Sequence, residues 1–119
     1  MVPTINRTYA FLEIDENKTF HNVIFEPHVE GNTVTYTVVF KPRSEPQFSF
    51  NVQYDISFTQ LLNIEETDRI VISINGVAIF DGVVLSNPII IRAGDQVSIK
   101  VYKRPLVTTK FQLIGNPIS

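Results

Sequence analysis

The sequence predicts an all-β chain: an antiparallel β-sandwich in the form of a jelly roll, with one short helix near residues 57–64. Three observations carry this expectation. Ile and Val number 29 against 9 Leu and Ala, and Thr adds 10 more β-branched side chains among 119 residues. Branching at Cβ restricts a side chain in a helix and suits a pleated, half-buried surface. Short stretches alternate apolar and polar residues, punctuated by Gly, Pro, Asn and Asp at the spacing of sandwiches and barrels. Two tight turns also place hairpins to the residue. An immunoglobulin-like sandwich would use the same hairpins and stands as the alternative topology.

Along the chain, residues 1–8 read as an N-terminal arm and residues 9–119 as a single sandwich domain. Tyr9 to Ile14 makes a first strand. The first hairpin turns on Gly31-Asn32, where Gly supplies the positive φ of a primed turn. Glu30 then faces Thr33, Val29 faces Val34, Phe25 faces Val38 and Val23 faces Phe40, with Pro27 opposite Tyr36 on the same side. Glu26–Thr37 and His28–Thr35 form the polar side. Because one face is apolar and the other mostly polar, a one-residue slip would mix the two. Pro27 has no N–H to give a ladder, so its strand belongs at an edge or at a bulge.

Phe48, Phe50, Val52 and Tyr54 alternate with polar residues as a further strand. Ser57 to Gln60 reads S-F-T-Q, a capping box, with Ile56 and Leu61 at the staple positions. Phe58, Leu61 and Leu62 would share the helical face. The second hairpin turns on Asn75-Gly76, the strongest short hairpin signal. It sets Ile74 opposite Val77, Ile72 opposite Ile79, Val71 opposite Phe80 and Ser73 opposite Ala78. Both of its faces are fairly apolar, as in a central strand or a covered surface. The run Ile89-Ile90-Ile91 reads as buried. Val97, Ile99 and Val101 alternate with polar neighbours, and Phe111 and Leu113 begin the last strand, for eight or nine strands in all.

The chemical inventory is thin. Cysteine is absent, so no disulfide, thiolate metal site or thiol nucleophile exists. Ten basic and twelve acidic residues are dispersed, with Lys100, Lys103 and Arg104 the nearest approach to a basic run, so nucleic acid is not an expected partner. No apolar stretch nears the roughly 18 residues that span a membrane, and no signal peptide is expected. His21 and His28 stand seven apart and would point to opposite faces of one regular strand. The acidic clusters Asp15-Glu16 and Glu65-Glu66 with Asp68 lack the spacing of a calcium loop. Asp81 and Asp95 lie beside Gly82 and Gly94, as turn residues do. No metalloprotease, nucleophile-elbow or phosphate-loop motif occurs. No catalytic residue, cofactor or metal is expected.

The second half carries a recognisable order of strands. Arg69 to Gly76 reads RIVISING, Pro88 to Tyr102 reads PIIIRAGDQVSIKVY, and Thr108 to Gly115 reads TTKFQLIG. This resembles the late strands of jelly rolls of the tumour-necrosis-factor and complement globular-head type. Ala10-Phe11, Phe20 to Phe25 and Phe48-Ser49-Phe50 are compatible with the earlier ones. Pro46-Gln47 stands where that family usually has a glycine before its aromatic strand. The same Asn-Gly and Gly-Asp punctuation is similar to β-sandwich modules of bacteriophage head-decoration, fibre, tail and baseplate proteins. Both resemblances imply a non-enzymatic, often trimeric protein that works by binding or assembly.

The sequence therefore leads to a structural or interaction protein of symmetric assembly, a virion component whose partners are its own copies and other virion proteins. Val71, Phe80 and Tyr102 are the side chains expected to be covered by a partner chain or a second sheet. A carbohydrate-binding, lectin-like module using a Tyr or Phe platform and loop carboxylates is the alternative. An enzyme acting through scattered carboxylates is a third, weaker reading.

Overall fold

The computed structural model describes residues 12–14, 23–52 and 54–118. These residues form ten strands in two antiparallel five-stranded sheets, with no helix among them. The strands are β1 Leu12–Ile14, β2 Val23–Glu30, β3 Thr33–Phe40, β4 Gln47–Val52, β5 Ile56–Glu65, β6 Ile70–Ile74, β7 Val77–Gly82, β8 Ile89–Ile91, β9 Gln96–Val101 and β10 Thr109–Pro117. One sheet runs β1-β4-β9-β6-β7 and the other β2-β3-β10-β5-β8. The expected arm, residues 1–8, and the Tyr9–Phe11 part of the first strand lie outside the described residues.

The eight strands after β2 pair in a nested way. β6 pairs with β7, β5 with β8, β4 with β9 and β3 with β10. The Asn75-Gly76 turn is thus the closed end of one long antiparallel ribbon, doubled over so that successive rungs fall in alternate sheets. Both turn residues have positive φ, 50° and 85°, which Asn tolerates and Gly adopts freely. Rolling the ribbon up then adds β5–β10 and β6–β9 pairs within the sheets.

The first hairpin has the register expected from its sequence, from Val23 opposite Phe40 to Glu30 opposite Thr33. Gly31 has a φ of 61°. β2 is an edge strand, so the missing Pro27 N–H leaves no ladder bond unmade.

The expected helix at residues 57–64 is instead the middle of β5. Two β-bulges explain the difference. Against β10, one extra residue falls between Phe58 and Gln60, and a second between Leu62 and Glu65. Asn63 takes a φ of 54° at the second. A bulge adds one residue to one strand only, so the inward spacing stretches from two to three. Phe58, Leu61 and Ile64 turn inward at that spacing, which imitates one face of a helix. The S-F-T-Q box is real as a local propensity, but pairing with β10 from Ile56 to Glu65, and with β8 at residues 56–58, outweighs one or two helical turns. Opposite the first bulge stands Gly115, paired with Phe58. A Cβ there would come within 2.7 Å of the Ser57 carbonyl oxygen and 2.8 Å of the Phe58 ring.

The second hairpin also departs from expectation. Ile74–Val77 and Ser73–Ala78 pair as foreseen, but a bulge at Ile79 then sets Ile72 opposite Phe80 and Val71 opposite Asp81. Phe80 is thereby flipped to the inner side and packs against the core.

Between the sheets the inward residues form a dry core, with Val34, Tyr36, Val38, Phe40, Phe58, Phe111 and Leu113 from one sheet against Phe48, Phe50, Ile70, Ile72, Val97 and Ile99 from the other. Phe25 on β2 joins the layers. Its ring lies 4.8 Å from Tyr36 in its own sheet, and 4.9 Å and 5.3 Å from Phe50 and Phe48 across the gap. Thr109, the buried polar side chain, is satisfied because its hydroxyl donates to the Glu66 carbonyl at 3.2 Å.

Gly115→Ala should lower unfolding stability by about 1–3 kcal/mol, the usual range for forcing a methyl into filled space. Phe50→Ala should cost about 3–5 kcal/mol, as truncation of a buried ring does. Urea denaturation followed by tyrosine fluorescence checks both. A wild-type midpoint for Gly115→Ala would refute the close approach on which the β5–β10 pairing depends.

Candidate functional surfaces

The three side chains expected to be covered lie in three different places. Val71 is half-buried on the outer face of the first sheet, between Lys100 of β9 and Asp81 of β7. Phe80 faces inward. Tyr102 lies just beyond β9 at one end of the sandwich, 40% exposed. Structure and sequence together now define two surfaces and one structural knot.

The first surface is the rim of the sandwich where β7 and β8, the last strands of the two sheets, lie alongside one another. Ile79, Phe80, Val84, Leu85, Ile89 and Ile90 line one groove there. Asp81, Ser86 and Asn87 line it too, and three branched apolar side chains stand exposed at it: Ile79 at 46%, Val84 at 77% and Ile90 at 44%. Each exposure has a local cause. The bulge expels Ile79, Val84 sits in the loop after β7, and Ile90 points outward between the inward Ile89 and Ile91. The expectation that all three isoleucines of 89–91 are buried is therefore met by two of them. The only ionisable side chain of β7, Asp81, is neutralised within the chain. Arg69 donates Nε and Nη2 to its two carboxylate oxygens, both at 2.7 Å, the bidentate geometry that guanidinium favours. This pairing holds the Asp81 carboxyl below the usual aspartate range and raises Arg69.

The opposite rim is built in the contrary sense. β2 carries Glu26, Pro27, His28 and Glu30, all exposed. Charges and proline on an edge strand discourage another strand from adding to it. His28 is one of these guards, and His21 lies outside the described residues. So does Asp15-Glu16.

The second surface is the end of the sandwich around Tyr102, where the β3–β4, β5–β6 and β9–β10 loops meet. Pro46, Glu66, Thr67, Asp68, Lys100, Tyr102, Lys103 and Arg104 line an open groove. Hydrogen bonds to backbone carbonyls hold the loops together: Arg43 N–H donates to the Pro105 carbonyl at 2.7 Å, and the Thr67 hydroxyl to the Tyr102 carbonyl at 2.8 Å. The Arg69 guanidinium stands 4.5 Å from the Tyr102 ring centre and Lys100 Nζ 5.0 Å from it, both within cation–π range. Arg104 pairs with Glu66 at 3.0 Å. The Lys103 ammonium donates to the Arg104 and Pro105 carbonyls at 3.1 and 3.5 Å, and burial lowers its pKa. The acidic cluster of residues 65–68 is thus dispersed: Glu66 takes Arg104, Glu65 lies opposite Lys110 in the ladder, and Asp68 remains in the groove. Sequence spacing could not foresee this surface, because Lys41 and Arg43 are some sixty residues from Lys103 and Arg104, and only the β3–β10 pairing brings them alongside.

The far end of the sandwich is a knot of loops rather than a site. Asp55 accepts from Ala93 N–H at 2.8 Å and from Arg92 Nη1 at 3.2 Å. Asp95 accepts from Arg92 N–H at 2.9 Å and from Asn75 Nδ2 at 3.0 Å, while Asn75 Oδ1 accepts from Gln96 N–H at 3.0 Å. Asp95 serves a turn, as expected beside Gly94; Asp81 instead lies within a strand and serves an ion pair. Among the described residues no group of three or more His, Asp or Glu converges in a metal-binding arrangement, and no helix is long and apolar enough to cross a membrane.

The Ala93 amide, followed by Arg92, holds the Asp55 carboxyl below its usual range. A carboxyl whose pKa falls on folding adds stability above its unfolded pKa and loses it as pH falls through the folded one. The melting temperature should therefore drop on the acid limb, below about pH 4, and the drop should be shallower in Asp55→Asn. Thermal melts from pH 7 to pH 2 check this; parallel curves for the two proteins would refute it. In comparison with known proteins, the chain matches no protein-family model, no curated protein and no solved structure.

Proposed function

We propose that the chain is a jelly-roll assembly module without catalytic function, which works by joining to a second copy of itself through the β7–β8 rim. The nested pairing of β3–β6 with β10–β7 across two sheets supports the jelly-roll topology over an immunoglobulin-like one. The observation that carries the assembly reading is the contrast between the two rims. One is guarded by Pro27 and exposed charges; the other exposes Ile79, Val84 and Ile90 around a groove whose single acid, Asp81, is already paired with Arg69. A patch that exposes branched apolar side chains and carries no unpaired charge meets its own copy without like-charge repulsion, and the same patch on both partners closes a two-fold dimer. The trimer that the family resemblance implies would need a heterologous contact, with a different patch on each side. Val71 and Tyr102 lie away from this rim, so Phe80 is the expected contact residue that the proposal retains. A virion component of a bacteriophage, built into head, fibre or tail by such contacts, is the setting this reading suits.

Sedimentation equilibrium tests it directly. The wild type at tens of micromolar should run as a dimer. Ile79→Lys with Val84→Lys should run as a folded monomer with an unchanged far-UV spectrum. A wild-type monomer, or a dimer that survives the double change, would overturn the rim as the interface.

A further inference from the structure

We infer that the Tyr102 end of the sandwich binds a sparsely charged acidic polysaccharide, one bearing carboxylate groups spaced along a sugar chain. The inference goes beyond assembly and is independent of it, because the groove lies at an end of the sandwich and not on its β7–β8 rim.

Cations gather at this end. Of the lysines and arginines in the described residues, Lys41, Arg43, Arg69, Lys100, Lys103, Arg104 and Lys110 stand on or beside its loops, and Arg92 alone lies at the other end. Arg69 and Arg104 are spent on Asp81 and Glu66. Lys41, Arg43 and Lys100 have no ion-pair partner among the described residues. Lys100 is nonetheless placed: its Nζ rests on the Tyr102 ring, opposite the Val71 row of the sheet. A cation held by a ring loses less freedom when an anion docks than one on a free stem. A second positive centre follows along the groove at Lys103, whose ammonium is held by the Arg104 and Pro105 carbonyls.

The groove's own acids decide the class of anion. Asp68, with no ion-pair partner among the described residues, lines the groove together with Lys100 and Lys103, and Glu66 beside it is turned to Arg104. A nucleic-acid backbone, with a charge every few ångströms, would set phosphates against these carboxylates. A polymer with one carboxylate per disaccharide can place its charges on the Lys100 and Lys103 centres and pass neutral sugar over Asp68. Arg69 and Lys100 crowd the Tyr102 ring, which leaves it poor as a stacking platform for a base, and single-stranded nucleic acid depends on such platforms. The same crowding argues against a neutral sugar stacked on Tyr102, the use a lectin-like tyrosine would have.

Hyaluronan and unsulfated heparosan, each with one carboxylate per disaccharide, are the probes, with dextran and a thirty-nucleotide oligothymidine as controls, by biolayer interferometry at 50 and 200 mM salt. Binding to a carboxylated polymer but not to dextran is expected, weakening with salt and at least tenfold in Lys100→Ala/Lys103→Ala. Tyr102→Leu should weaken it severalfold without removing any cation, which a purely charge-driven contact would not show. Each variant is checked by its thermal melt, and Arg43→Ala, on the neighbouring loop, supplies a second variant if one fails to fold. Tighter binding to the oligonucleotide, equal binding to dextran, no binding to either acidic polymer, or affinity indifferent to both Lys100 and Tyr102 would each overturn the inference. The Ile79→Lys/Val84→Lys monomer should retain the site, which separates its failure from that of the rim.

Discussion

The structure depends on one contact between layers: the Phe25 ring set against Tyr36 within its own sheet and against Phe48 and Phe50 of the other. Two antiparallel sheets have no covalent reason to stack. They stay together because each inner face buries more apolar area than water will tolerate. Aromatic side chains supply most area per residue, and their tilted and offset geometries add a directional component. Phe40 extends the cluster to Phe48 and Phe111, and Tyr36 to Phe58. The rings thus run through the sandwich as a connected body. β2 sits outside the nested ribbon, yet it contributes the ring that spans both sheets. Burial also pushes the Tyr36 hydroxyl well above the usual phenol range, a sign of how completely water is shut out.

Around that core, the path of the chain follows from a single turn. Asn75-Gly76 closes the ribbon, and every later rung pairs back onto an earlier one. Three bulges then adjust the roll. Those in β5 let a ten-residue strand keep pairing with β10 while its inward side chains are re-aimed, and the one at Ile79 turns Phe80 inward and Ile79 out. The same local defects that shape the sandwich therefore generate its surfaces. Without the Ile79 bulge, Phe80 would lie on the outer face beside Val71, and the β7–β8 rim would lose its exposed isoleucine.

The two surfaces differ in how they arise. The rim is a consequence of where strands end: β7 and β8 have no further neighbour, and the sequence exposes branched apolar residues there, with the acid of β7, Asp81, paired to Arg69. The basic end is a consequence of topology, because nested pairing stacks the loops of alternate rungs. Loops separated by half the chain become neighbours, and their cations add where each alone would be an ordinary solvated group. The Asp55–Asp95–Asn75 knot at the far end has the same origin, but its polar groups are satisfied mutually and offer little to a partner.

The sequence by itself determined what local physics controls: the all-β class, the turn chemistry of Gly31-Asn32 and Asn75-Gly76, the full register of the first hairpin, and the restriction of the Pro27 strand to an edge or a bulge, of which the structure takes the edge. Each follows from side-chain branching, positive φ or a missing N–H, which act within a few residues. It could not reveal the bulges, since an extra residue is defined only by the strand opposite, and so Ser57 to Ile64 carried a helical signature and Phe80 pointed the wrong way. It named Tyr102 and the basic residues at 100, 103 and 104 but not their company, because Lys41, Arg43, Glu66 and Asp81 reach them only through pairing between distant strands. Tertiary structure decided which of the many branched side chains face water, because that depends on where the sheets stop.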